Sequence, residues 1–174
     1  MSKTLFIKSA GNISDDFGTL LPAHFYHYLN FGQWSLHELL AFILEYTGPA
    51  HVKVTSYGIS ESAVRSFVNM IDCGSILSLD LLFDISTKRN KFALLMFAHN
   101  VASRVFVNAN HAKLISVQNE KITIIVNASA NLTVNRRNEA GCIITEQNTA
   151  LQFHDAIVEL IESSILLNPD NEPD

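Results

Sequence analysis

The sequence is short of cysteine, of long apolar runs and of basic charge, and each shortage excludes something. Its two cysteines, Cys73 and Cys142, lie far apart. They form neither a disulfide framework nor a zinc-ligand spacing, and they read as two reduced core thiols. No apolar run approaches the roughly 20 residues of a membrane-spanning helix. The apolar stretch within residues 1–9 is too short for a signal peptide, so a cytoplasmic location is expected. Lys and Arg number 12 against 17 Asp and Glu, a formal net charge of −5. That balance gives no global attraction to nucleic acid, so any such contact must come from local clusters. No internal repeat is present, so the chain does not hold two copies of a half.

What is present suits one ordinary domain. The chain has 174 residues, is 48% hydrophobic and holds eleven Phe, enough for a real core. Residues 1–166 read as a single domain. Residues 167–174, acidic and with two prolines, read as a flexible tail.

Residues 5–7 look like a first strand. Residues 9–32 read as irregular, with turn residues at Gly11, Asn12, Gly18 and Pro22 and with aromatics that pack onto the domain. Ser35 and Glu38 form a capping box ahead of Leu36, Leu39, Leu40, Ile43 and Leu44, and Gly48-Pro49 ends that helix. Residues 51–57 alternate as a strand does. Ser60 caps a second helix, and Gly74 stops it. Residues 76–85 form a long apolar strand, and residues 88–101 a third helix. Residues 104–107 form another strand. Residues 113–117 and 122–126 flank a polar tip as a hairpin. A strand over 141–145 and a helix over 148–166 follow, with Leu151, Ile157, Val158, Ile161 and Ile165 facing inward. The alternation predicts a layered α/β/α sandwich around a mixed, largely parallel sheet.

One stretch is chemically dense. In a strand, residues i and i+2 share a face, so His111 and Lys113 point together. The hairpin returns the chain, and Ser129 and Asn131 arrive beside them as another i, i+2 pair. An imidazole, an ammonium, a hydroxyl and an amide then converge. Lysine offers a compact charge to phosphate oxygens. Serine and asparagine donate to the same oxygens. Histidine acts as nucleophile, acid or base near neutral pH. Glu139 can hold the second ring nitrogen and fix the tautomer.

Here the pattern resembles the phospholipase D superfamily, which reads H-x-K-x4-D-x6-G-S-x-N with a later Glu in its nuclease branch. The matching residues are His111-x-Lys113, Ala128-Ser129-x-Asn131 and Glu139, and Ser-Ala-Asn-Leu-Thr at 129–133 is similar to the family's G-S-x-N-L-T run. The resemblance implies that His111 attacks phosphorus to form a phosphohistidine. It implies that Lys113, Ser129 and Asn131 bind the phosphate, that Glu139 orients His111, and that neither metal nor any other cofactor is needed.

There are departures. The family's Asp position falls on Gln118, its Gly is Ala128, and the spacing from His111 to Ser129 is three residues longer. The extra residues fall in the hairpin tip, where Glu120 stands. The family uses a second histidine to protonate the leaving group. His51-Val52-Lys53 spells H-x-K but has no Ser-x-Asn behind it, and reads as a solvated strand face. His24, His27, His37, His99 and His154 lack the pattern. A two-fold homodimer that brings two copies of His111 together supplies the missing group.

Of the remaining candidates, Asp80 reads as paired or at a strand end, and His99 as a core residue. Trp34 reads as core. Arg136 and Arg137 read either as an ordinary solvated turn or, beside a phosphate site, as the best local basic cluster for a nucleic-acid backbone. The expected function is a metal-independent, homodimeric phosphodiesterase, a nuclease acting on DNA. The alternatives are a catalytically weak phosphate- or nucleic-acid-binding module and a lipid or small-molecule phosphodiesterase.

Overall fold

The computed structural model describes residues 2–134 and 137–168. Strand β1 (Lys3–Lys8) leads to a short helix, α1 (Ile13–Phe17), and to β2 (His24–Asn30). Residues 9–32 are thus ordered where the turn residues suggested irregularity. Those turn residues serve as element ends. The Asn12 side chain accepts from the Asp15 amide at 2.9 Å to cap α1, and Gly18, at φ +60°, closes it.

Helix α2 (Leu36–Thr47) carries the expected capping box of Ser35 and Glu38. Strand β3 (Ala50–Ser56) is followed by α3 (Glu61–Asp72), capped by Ser60. After β4 (Ile76–Asp84), the expected third helix is broken in two, α4 (Ser86–Asn90) and α5 (Phe92–Val101). The break falls at Lys91, whose φ of −143° is not helical. Strands β5 (Arg104–Asn108), β6 (Leu114–Gln118), β7 (Thr123–Ala128) and β8 (Glu139–Ile144) precede α6 (Gln147–Glu162) and the short β9 (Ile165–Leu166).

The last helix therefore stops short of the expected Leu166. Ile165 is exposed rather than inward, in a strand paired antiparallel to β5, and Leu151 is exposed on α6. Ile157 and Ile161 are buried as expected. Leu167 is buried and donates its amide to the Val105 carbonyl at 2.8 Å. Residues 169–174 of the expected tail lie outside the described residues.

One sheet runs β1-β2-β8-β7-β6-β3-β4-β5-β9. Strands β1, β2, β3, β4, β5 and β7 share one direction, and β6, β8 and β9 oppose it. The sheet is mixed and largely parallel. Alternate residues go to opposite faces. Val105 and Val107 join the core beneath α2, α3 and α5, while Phe106 between them joins the core beneath α6. Leu81 and Phe83 flank Leu82 in the same way. Helices on both faces complete the α/β/α sandwich.

Neither cysteine is a core thiol. Cys73 is exposed at the end of α3, and Cys142 is half-buried in β8. Trp34 is buried as expected. The mixed direction of the strands has one consequence for chemistry. The C-terminal ends of β3, β4, β5 and β7 reach the same edge of the sheet as the starts of β6 and β8, the edge where open α/β sheets hold ligands.

Candidate active site

His111 sits in the connection from β5 to β6, and that connection is pinned from several sides. The buried Asn110 folds its side chain onto Ala112, accepting from the Ala112 amide and donating to its carbonyl, each at 3.2 Å. The Asn110 amide donates to the Asp84 carboxylate at the end of β4 at 3.1 Å. Thr55 donates its hydroxyl to the Ala112 carbonyl at 3.1 Å. The loop is held by its flanks, and His111 stands exposed at its crest.

Lys113 is only 7% exposed, although it carries an ammonium. Its Nζ lies 2.9 Å from His111 Nδ1 and donates to the His111 carbonyl at 2.6 Å. The two side chains meet as expected, although they precede β6 instead of lying within it. Burial pulls the Lys113 pKa down, and the nearby charge of Glu139 works against that pull. A buried cation beside an exposed imidazole is short of solvation, and an anion that reached it would make good that shortage.

The hairpin return is direct. The Ala128 amide donates to the Lys113 carbonyl at 3.0 Å, which places Ser129 beside the lysine. Ser129 continues the ladder to β8, with its amide donating to the Ala140 carbonyl at 2.9 Å. Its hydroxyl donates to the Glu139 carboxylate. The Ala140 amide donates in turn to that hydroxyl at 3.0 Å. Asn131 lies over the end of β3, where the Ser56 hydroxyl points at its Oδ1 at 3.5 Å. Ser56 also accepts from the Leu132 amide at 3.1 Å, and the Ser60 amide donates to the Leu132 carbonyl at 2.8 Å. Residues 129–132 are thereby moored to the β3–α3 turn.

His111, Lys113, Ser129, Asn131 and Glu139 thus come from three separate chain segments to one sheet edge. Arg137 is exposed beside them. Arg136 lies outside the described residues. Gln118 stands at the opposite end of β6, bonded across the hairpin to Thr123 at 3.0 Å. It lines a surface cavity there with Glu120, His51 and Thr47. Gln118 and Glu120 are therefore both remote from His111 in this fold.

His51 and Lys53 build no second half-site. The His51 Nδ1 lies 2.7 Å from the Ser78 hydroxyl, and Lys53 pairs with Asp80 at 2.9 Å. The Lys53 end is not the solvated face expected, because Asp80 draws it in. Asp80 is paired as expected, and Arg104 joins it at 2.8 Å.

Two residues of the edge escaped the sequence reading. Asp84 anchors Asn110 and accepts from Ser86, and the charge of His111 reaches it. Tyr57 sits with its ring centroid 5.0 Å from that of His111 and 5.8 Å from Lys113 Nζ. Both lie more than 25 positions from His111 in sequence. Only the parallel pairing of β3, β4 and β5 brings them near. Among the described residues, no three His, Cys, Asp or Glu side chains group as a metal site requires. No helix among them is long and apolar enough to cross a membrane.

The sequence matches no protein-family profile and no curated protein. Solved structures do match. Nuc from Salmonella typhimurium, a phospholipase D family member, aligns with a TM-score of 0.59 at 13% identity, over 74% of this chain and 90% of Nuc. NucT from Helicobacter pylori aligns with a TM-score of 0.63 at 14% identity, over 82% and 99%. TrmBL2, an archaeal chromatin protein described as showing a novel mode of DNA binding, aligns at 0.56 and 10% identity, over 81% of this chain and 54% of its own. The chain has the phospholipase D-like fold.

Proposed function

We propose that the chain is a metal-independent phosphodiesterase of the phospholipase D type, a nuclease on DNA that works as a homodimer. The observation that carries this is the buried Lys113 ammonium, bonded to the exposed His111 and bordered by Ser129, Asn131 and Glu139 at one sheet edge. The fold shared with Nuc and NucT supports the same reading.

The proposed order of events starts from the contact of Lys113 with the ring. With Lys113 donating to Nδ1, the nearer of the two ring nitrogens at 2.9 Å, the imidazole proton lies on Nε2. Attack through Nε2 needs the other tautomer. An incoming phosphate draws Lys113 onto its non-bridging oxygens, with Ser129 and Asn131 donating beside it. Nε2 gives its proton to solvent, and Nδ1 takes one from solvent and presents it to Glu139, which orients the ring. Nε2 attacks phosphorus and forms the P–N bond. The P–O bond to the leaving group breaks, and the departing oxygen keeps the electron pair. It takes a proton from His111 of the partner subunit, which enters the reaction as the imidazolium, acts as general acid and is left as the neutral imidazole. Water then attacks the phosphohistidine and loses a proton to that same partner imidazole. The P–N bond breaks, and the electron pair returns to His111. The exposure of His111 leaves room for a second copy.

Incubation of the pure protein with plasmid DNA in EDTA should give nicked and then linear product. Light scattering should give twice the chain mass. Absence of cleavage across a broad pH range, or a strict monomer, would falsify this reading.

A second reading has its own support. Lys113 holds the His111 lone pair in the resting site, and TrmBL2, described as a DNA-binding chromatin protein, shares the fold. On that reading the chain is a catalytically weak nucleic-acid-binding module. Wild type and His111→Ala would then bind DNA alike, and neither would cut.

A further inference from the structure

We propose that Tyr57 is a stacking shelf for the nucleobase next to the phosphate held at Lys113, and that the preferred substrate is therefore single-stranded or frayed DNA. This rests on the nuclease reading for its phosphate, and it adds a second subsite with its own ligand chemistry. Tyr57 follows β3 directly. The residue is 41% exposed, a large fraction for an aromatic beside a buried core. On one side it meets His111 and Lys113. It also borders a groove of about 110 Å³ lined by Gly58, Ser86, Thr87, Asn90 and Lys91. The ring thus divides the phosphate site from that groove. In a nucleotide the base hangs one sugar away from its phosphate, so a base bound here leaves its phosphate at Lys113.

The groove is braced. The buried Thr87 donates its hydroxyl to the Tyr57 carbonyl at 3.3 Å. Lys91 donates to the Ile59 carbonyl at 2.8 Å, holding the other side of Gly58. Asn90 is exposed at its rim and carries both a donor and an acceptor for a base edge.

The rim is also cationic. Lys88, Arg89 and Lys91 fall within four residues, in a chain whose net charge is −5. Among the described residues neither Lys88 nor Arg89 is ion-paired. Lys88 and Arg89 lie on α4, which follows the C-terminal end of β4, and Lys91 lines the groove beside Tyr57. A polyanion following these cations passes over Tyr57. A choline headgroup would also favour an aromatic ring, but Lys113 stands 5.8 Å from this ring and Lys91 lines the groove beside it, and both repel a further cation. A base within a duplex stacks on its neighbours and cannot reach the shelf, whereas an unpaired base stacks freely on tyrosine.

The test compares two single-stranded 12-mers of equal charge, oligo-dT and its fully abasic counterpart, bound to the full-length His111→Asn protein. With Tyr57 intact, oligo-dT should bind about tenfold more tightly, the scale of one base–aromatic stack. Tyr57→Leu should bring oligo-dT to the abasic level and leave the abasic oligomer unchanged, and Tyr57→Phe should retain the difference. In active protein, Tyr57→Leu should also erase a preference for single-stranded over duplex DNA.

Equal binding of the two oligomers by protein with Tyr57 intact overturns the proposal without any mutation at Tyr57. So does an equal loss of both in Tyr57→Leu, or loss of phosphatidylglycerol-vesicle binding with oligonucleotide binding untouched. Base-dependent binding by a protein that never cuts would sink the nuclease reading and leave the shelf standing.

Discussion

Lys113 Nζ lies 2.9 Å from Nδ1 of His111, so the proposed phosphate clamp and the proposed nucleophile touch each other before any substrate arrives. The pair is asymmetric. The lysine is buried and the histidine exposed, so the two can be separated by mutation with different structural costs.

His111→Ala should remove cleavage while changing the unfolding free energy, read by urea denaturation, by no more than about 0.5 kcal/mol, the usual range for an exposed position. Lys113→Met keeps the volume and removes the charge. It should cut the cleavage rate by about 10²–10³, the scale of one lost oxyanion donor. Wild-type rates in either variant would assign the chemistry elsewhere.

Gly141 in β8 has no room for a side chain. A methyl group there would collide with the Tyr28 hydroxyl and ring, and would lie 2.5 Å from the Asn127 carbonyl. Gly141→Ala should cost about 1–3 kcal/mol by overpacking, read by urea denaturation. Tyr28→Phe should not rescue it, because the ring carbon and the backbone oxygen still clash. The disturbance lies two residues from Glu139, so activity should fall as well.

Asp80 receives both Lys53 and Arg104, and its side chain is only 8% exposed. Asp80→Ala leaves a half-buried lysine uncompensated and should cost about 3 kcal/mol. Glu162→Ala removes an exposed partner of Arg104 and should cost under about 1 kcal/mol. Burial works to raise the Asp80 pKa, but the hydrogen bonds and charges of Arg104 and Lys53 outweigh it and hold the carboxyl below its ordinary value of 3.8. The folded state binds this proton less readily than the unfolded state. The stabilisation is therefore complete above pH 3.8 and fades as the pH falls through the folded value. An acid titration of Asp80→Asn should lack that component.

His37 is buried in α2, and its Nδ1 has no hydrogen-bond partner among the described residues. Burial lowers its pKa below the ordinary 6.5, against a smaller opposing pull from Glu38. The neutral ring is the form that fits the fold. Stability should be full above pH 6.5 and decline as the pH drops through the lowered value. In His37→Leu the unfolding midpoint should change less between pH 7 and pH 5 than in wild type. Parallel curves would place the titrating group elsewhere.

Much of this was written locally. The Ser35–Glu38 box, the Ser60 cap and the alternation of β3 and β5 depend on neighbours within a few residues, so their chemistry was legible in order. Local rules failed at Lys91, where a continuous helical pattern breaks. They failed again at residues 165–166, which pair with β5 instead of extending α6. Both places have a distant partner invisible to periodicity: the Ile59 carbonyl, which accepts from the Lys91 ammonium, and strand β5, which pairs with residues 165–166.

The site divides the same way. The residue order alone specified the chemical types and their spacing: His111-x-Lys113, Ser129-x-Asn131 and Glu139, on a hairpin that had to return to its start. Tertiary structure decided which atoms meet. It buried the lysine under the imidazole, joined Ser129 to Glu139, and sent Gln118 to the far end of β6. It also brought Asp84, Tyr57 and the cations of residues 88–91 to the same edge from the ends of parallel strands. Parallel strands need long crossovers between them, so the residues they align are far apart in sequence, and only the assembled sheet reveals them as neighbours.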